Sequence, residues 1–463
     1  MVAEFIALVA AKLASPLASF LIIITVARVW GTTVLGQYTT IWVWLTLFQH
    51  FSLFGICEYI SREIGANKAE AGRFLMDGLA LSLLFSMVCG ALMVSGAFVF
   101  GYPEKIKAGI VVASAALPFA ACTLVCQAAF TALRKINYVT VASVLESLLF
   151  LITGIMVVFG GHMLIALIAC LVFVRISAAV LNLSIARRLP AVRFRFEWGG
   201  LRRHVLPVIV FGLTGVAFQV FMRIDVIMLS KMTSMSTVGL YSAASKLVEI
   251  CMMLSLTFYF LSLPIAAEAY NKFRKSMRER MRRHSEPFIM IVFGVFGCCM
   301  LFAGPIIRFF YGGAFTAAVV PFRILMAAFL IHSAEITMEI TCQAAGYQRA
   351  ALRVAIVRAL ANILLNLALI PLWGAVGSAA ATLLSVAVSF TLFQLFVKKT
   401  FGGSQLSRLL GKPALICLLT AGFVYPLTGR LNALFLMPLF FSGYWLMTFG
   451  FKKYASAWPG ALV

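Results

Sequence analysis

A polytopic, all-α membrane protein of about fourteen transmembrane helices is predicted by three features of this 463-residue sequence. Apolar stretches of about 17 to 27 residues recur along the chain, each long enough to cross a hydrocarbon core of about 30 Å. Hydrophobic residues make up 63% of the chain and charged residues only 11%, which excludes a soluble globule. Basic residues crowd into every second gap between the stretches and are sparse in the gaps between.

In chain order the predicted spans lie near 5–27, 38–60, 74–100, 107–132, 138–160, 163–186 and 205–230. They continue near 238–262, 286–310, 318–344, 350–371, 374–397, 413–429 and 432–450. The first, with Lys12 and Pro16 inside it and no small-residue cleavage site after it, is expected to be a retained span. With the N-terminus in the cytoplasm, the inside gaps collect roughly 26 Lys and Arg against roughly 7 outside, so both termini are expected to be cytoplasmic. The net charge of +23 then reflects short loops that orient the spans and touch anionic lipid heads, and it does not point to nucleic acid. The ten cysteines sit mostly inside apolar spans without metal spacing, as small packing residues do. No metal, cofactor or catalytic cluster is expected.

Three short echoes suggest an internal repeat. Gly36-Gln37-Tyr38 returns as Gly239-Leu240-Tyr241, Phe100-Gly101-Tyr102 as Phe310-Tyr311-Gly312, and Gln127-Ala128-Ala129 as Gln343-Ala344-Ala345. They occur in order and six spans apart, so the halves run parallel, an architecture of transporters. The expected organisation is a six-helix bundle over 1–190, a basic cytoplasmic linker over 191–204, a second six-helix bundle over 205–400, and two additional helices over 401–463.

An ionisable side chain at the centre of a span costs about 2.5–3.5 kcal/mol, so each one requires a reason. Lys12, Glu58, Asp77 and Arg358 lie near cytoplasmic ends and can snorkel. Arg223 and Asp225, and Lys246 and Glu249, are spaced for local ion pairs. Arg175 has no carboxylate neighbour in sequence, and Arg28 caps the first span beside Gly31; both are candidates to face a cavity. Glu335 and Glu339, four residues apart, share a helix face and repel if both ionise. Either a proton or sodium ion couples there, or the two pair with Arg349, Arg353 or Arg358. Asn362 and Asn366 repeat that spacing and suit interhelical hydrogen bonds.

Ala27-Arg28-Val29-Trp30-Gly31, Phe54-Gly55 and Ser61-Arg62-Glu63 resemble the N-terminal signature of the polysaccharide-biosynthesis exporters, the oligosaccharide-lipid flippases. These form a branch of the multidrug, oligosaccharidyl-lipid and polysaccharide exporter superfamily. Arg223-Ile224-Asp225, Val238 to Ala244, Lys246 to Glu249, Ala345 to Gln348 and Pro371 to Gly377 resemble the family's later motifs, so the likeness covers nearly the whole chain. It implies an inner-membrane flippase that moves an undecaprenyl-pyrophosphate-linked oligosaccharide (an O-antigen, capsule or exopolysaccharide unit) to the periplasmic leaflet by alternating access, without ATP. A polysaccharide polymerase complex is the implied partner. Arg28, Arg175, Arg223 and Lys246 would line a cationic cavity for the diphosphate, with Asp225, Glu249, Glu335 and Glu339 in charge pairing or ion coupling. A peptidoglycan-precursor flippase and a multidrug exporter remain as alternatives from the same superfamily. A membrane-embedded polymerase or ligase, the alternative of another class, would need a sizeable outside domain and a catalytic cluster.

Overall fold

The computed structural model describes residues 2–161, 163–189, 223–272, 277–402, 406–427 and 433–450. Among the described residues the chain is helical throughout, without a strand. The expected linker over 191–204, the first part of the seventh predicted span and the tail after 450 lie outside them.

Two of the longest helices are hairpins. α1 (Val2–Leu53) contains Gly31 at φ 78°, ψ −172°, a conformation open essentially to glycine alone. Ile22 packs against Gly154, and Trp42 stacks on Phe150 at 6.2 Å. A straight helix would hold Ile22 and Trp42 about 30 Å apart, whereas 150 and 154 are only about 6 Å apart on their helix, so the chain reverses at Gly31. α13 (Gln348–Phe401) turns in the same way at Gly374, φ 53°. There Asn362 donates to the Ser385 hydroxyl at 3.3 Å, although the two would be about 34 Å apart on a straight helix. The expected outside gap between the first two spans is therefore replaced by a one-residue turn.

Three further spans depart from the prediction. The second ends at Leu53; Phe54 at φ 28° and Gly55 at φ 82° redirect the chain into the amphipathic α2 (Ile56–Ala66), which buries Ile56, Tyr59, Ile60 and Ile64 on one face. Glu58 thus lies exposed on a short helix outside the span. The fourth predicted span breaks into α4 (Glu104–Ser114) and α5 (Leu117–Ala132), bent by 40° just before Pro118, whose ring cannot continue the preceding hydrogen-bond ladder. The ninth divides at Phe302 into α10 (Met277–Leu301) and α11 (Ala303–Tyr311).

The other helices are α3 (Ala71–Val99), α6 (Ile136–Phe159), α7 (Leu164–Arg188), α8 (223–232), α9 (Met235–Lys272), α12 (Val319–Ala344), α14 (Leu406–Val424) and α15 (Ala433–Gly450). Among the described residues nine helices are long and apolar enough to cross a membrane, or ten with the bent α4–α5 pair as one span. With each arm of α1 and α13 taken separately, that makes twelve candidate spans among the described residues, and α8 and α15 stand where the seventh and fourteenth spans are expected.

Contacts group the chain into two compact units, Met1–Gly239 and Leu240–Val463. In the first, α2, α3, α5 and α7 enclose an apolar core around Ile60, Leu75, Val125 and Phe130. In the second, α14 and α15 pack on α10 where glycines give them room: a methyl on Gly297 would lie 2.5 Å from Cys417 Sγ, and Tyr444 donates to the Met290 carbonyl at 2.7 Å beside Gly294.

Candidate functional site

Helices α1, α5, α6 and α7 of the first unit surround a cavity of about 230 Å³ lined by both polar and apolar side chains. On its wall Arg175 of α7 forms an ion pair with Glu146 of α6 at 2.5 Å, both side chains partly exposed (18% and 15%). The cation that lacks a carboxylate neighbour in sequence therefore has one from the adjacent helix. Trp42 of α1 adds an aromatic ring, in contact with Tyr38 at 6.1 Å and with Phe150 at 6.2 Å. Thr123 of α5, 1% exposed, makes no hydrogen bond through its hydroxyl.

Arg28 is exposed, one turn before Gly31, and Arg223 on α8 is half-buried. The Asp225 carboxylate accepts from the Val226 backbone N–H at 2.8 Å. One turn along α8 lies a network that the sequence did not reveal. Trp44 Nε1 donates to Tyr102 Oη at 3.3 Å, Tyr102 shares a hydrogen bond with Ser230 at 2.7 Å, and Lys231 sits 4.4 Å above the Tyr102 ring while donating to the Phe100 carbonyl.

In the second unit Lys246 and Glu249 pair at 3.0 Å, as their spacing on α9 predicts. Glu335, 2% exposed on α12, accepts from Ser389 at 2.9 Å and lies 3.8 Å from Arg358 and 3.9 Å from His332. Arg358 does not snorkel. It is 9% exposed and turned inward to the Glu335 carboxylate and to His332 Nδ1, 3.3 Å away, because an unpaired carboxylate at that depth costs more than burying its partner. Asp77, also expected to snorkel, is 2% exposed. Glu339 has separate company: Gln343 donates to it at 2.9 Å and accepts from Tyr259 at 2.7 Å. Asn366 donates to Asn362, and Asn362 bridges to the returning arm of α13. Among the described residues no group of three or more His, Cys, Asp or Glu is arranged to hold a metal ion.

These features define a multi-pass membrane protein whose helices bury polar and charged side chains within each unit. Residues 1–269 match the family of polysaccharide biosynthesis proteins, and the chain belongs to that family. Among curated proteins it is 27% identical over 169 residues to the probable low-salt glycan biosynthesis flippase Agl15 of Haloferax volcanii; the match spans 36% of this chain and 36% of that protein. Among solved structures it is similar to the lipid II flippase MurJ in an inward closed conformation, with a TM-score of 0.78 at 14% identity over 96% of this chain and 99% of that one. An inward-facing multidrug resistance transporter of the MATE family, in the MOP superfamily, is similar with a TM-score of 0.68 at 15% identity over 84% of this chain and 99% of that one. The fold is shared with both of these structures.

Proposed function

We propose that this protein is a flippase that carries an undecaprenyl-pyrophosphate-linked oligosaccharide from the cytoplasmic to the periplasmic leaflet of a bacterial inner membrane by alternating access. Membership of the polysaccharide biosynthesis family across residues 1–269 is the observation that carries this reading. The fold and the flippase relative support it. In this reading Arg28, Arg223 and Lys246 supply positive charge to the diphosphate, which needs guanidinium forks or ammonium groups to replace its hydration. Arg175, on the wall of the first unit's cavity beside Glu146, takes a different part. The two six-helix bundles over 1–190 and 205–400 alternate in access, both termini lie in the cytoplasm, and the product is an O-antigen, capsule or exopolysaccharide unit. Glu335 and Glu339 are the proposed place of coupling to a proton or sodium gradient.

The test is flipping in proteoliposomes. A fluorescent undecaprenyl-pyrophosphate oligosaccharide is placed in one leaflet and its arrival in the other is read with a membrane-impermeant quencher. Protein-dependent transfer is expected. Transfer of the peptidoglycan precursor or of a cationic drug in its place would assign the protein to another branch of the superfamily.

A further inference from the structure

The cavity of the first unit has a wall chemistry that a diphosphate does not explain. Its described lining holds one cation and one carboxylate, and these neutralise each other at 2.5 Å. An anion would find no net positive charge there, and a cation would find the lining carboxylate already taken by the Arg175 guanidinium. The remaining polar wall is neutral: the hydroxyls of Ser15, Ser19, Thr123, Ser143 and Ser147 and the amide of Gln127. An apolar drug or a lipid tail would leave the Thr123 hydroxyl without a partner. Trp42, in ring contact with Tyr38 and with Phe150, adds an aromatic surface among these polar groups.

A ring with C–H groups on one face and hydroxyls around its rim matches an aromatic plate bordered by donors and acceptors. The cavity volume of about 230 Å³ falls below the roughly 300–1,000 Å³ of pockets for drug-sized ligands, which leaves room for one such ring and none for a chain of them. Glu146 and Arg175 are partly exposed, so the pair can both accept from and donate to a bound hydroxyl. Thr123 brings a hydroxyl with no hydrogen bond of its own.

We propose that this cavity is a saccharide subsite that takes a single neutral pyranose ring of the lipid-linked oligosaccharide and selects which sugar is carried. The proposal rests on the flippase reading above. It places sugar selection in the first unit, on side chains of α1, α5, α6 and α7 other than the cations assigned to the diphosphate.

Binding to the full-length protein in detergent tests it, with four probes: bare undecaprenyl pyrophosphate and the same lipid carrying glucose, galactose or N-acetylglucosamine. The expected result is a preference of at least about tenfold for one glycosylated lipid over the bare one. That preference should fall to within about twofold of unity in Trp42→Leu and in the double variant Glu146→Gln/Arg175→Gln, and be largely kept in Trp42→Phe. Thermal unfolding of each variant identifies any that fail to fold, and Ser147→Ala, the smallest change at the wall, should lower the preference on its own. Equal binding of all four lipids by the wild-type protein, or an undiminished preference in folded variants, overturns the subsite and leaves the flippase reading standing. Failure of every lipid to bind overturns both.

Discussion

Gly36 and Gly239 meet at a contact that is reciprocal. A methyl group on Gly36 would lie 1.8 Å from the carbonyl oxygen of Met235, and one on Gly239 would lie 2.0 Å from the carbonyl oxygen of Thr32, so each glycine faces the residue four positions before the other. Thr32 and Ser236 share a hydrogen bond at 2.8 Å in the same crossing. Both obstacles are backbone atoms that cannot swing aside, so Gly36→Ala and Gly239→Ala should each cost about 1–3 kcal/mol. Gly65→Ala, on a helix with nothing within 4 Å, should be neutral or gain about 0.4–1 kcal/mol. Thermal unfolding in detergent reads the contrast; equal melting of all three variants would show that the crossing tolerates a methyl.

Removing Arg358 strands Glu335. Arg358→Ala should destabilise by about 3–5 kcal/mol, the cost of a buried charge without its partner, while a combined Arg358→Met/Glu335→Gln variant should recover most of the loss. Membrane yield and thermal stability measure this. A double variant as unstable as the single one would shift the weight to His332 and Ser389.

Flipping should depend on positive charge at Arg28, Arg223 and Lys246. Alanine at each should stop transport while leaving membrane abundance near normal. Full activity of Arg223→Ala and Lys246→Ala would make those two residues structural partners of Asp225 and Glu249.

Replacing Glu335 or Glu339 by glutamine should weaken the dependence of transport on a proton or sodium gradient. Glu339 is the more informative position, because Glu335 already has Arg358 and Ser389 close by. Unchanged gradient dependence in both variants would leave these glutamates as charge balance for the neighbouring arginines.

Reporter fusions after residues 400 and 455 should both read cytoplasmic. A periplasmic signal at the second would mean that α14 and α15 do not both cross.

Much of the fold is legible because hydrocarbon thickness dictates span length, and apolar length is visible residue by residue. Lys246–Glu249 is legible for the same local reason, one helical turn. The breaks at Gly55 and Ala116 are not, since glycine and proline are ordinary inside membrane helices and nothing local says which of them bends the chain. Charge partners on different helices are mostly hidden, yet Glu146–Arg175 leaves a trace: Glu146 lies fifteen residues before Gly161 and Arg175 fourteen after it, nearly equidistant from the turn between α6 and α7. The His332–Arg358 contact and the Trp44–Tyr102–Ser230 network leave no such trace, because no sequence spacing brings these partners together.

The single-residue reversals at Gly31 and Gly374 also govern where the chain can change length. A loop of several residues absorbs an insertion, but here the returning arm follows its turn directly. One added residue beside Gly31 would rotate the whole second arm by about 100° and slide it by about 1.5 Å, carrying Trp42 off Phe150 and Gly36 away from Met235. Insertions and deletions are thus barred from these two turns and displaced to the far ends of the arms, where two neighbouring sequences of different length must keep their difference.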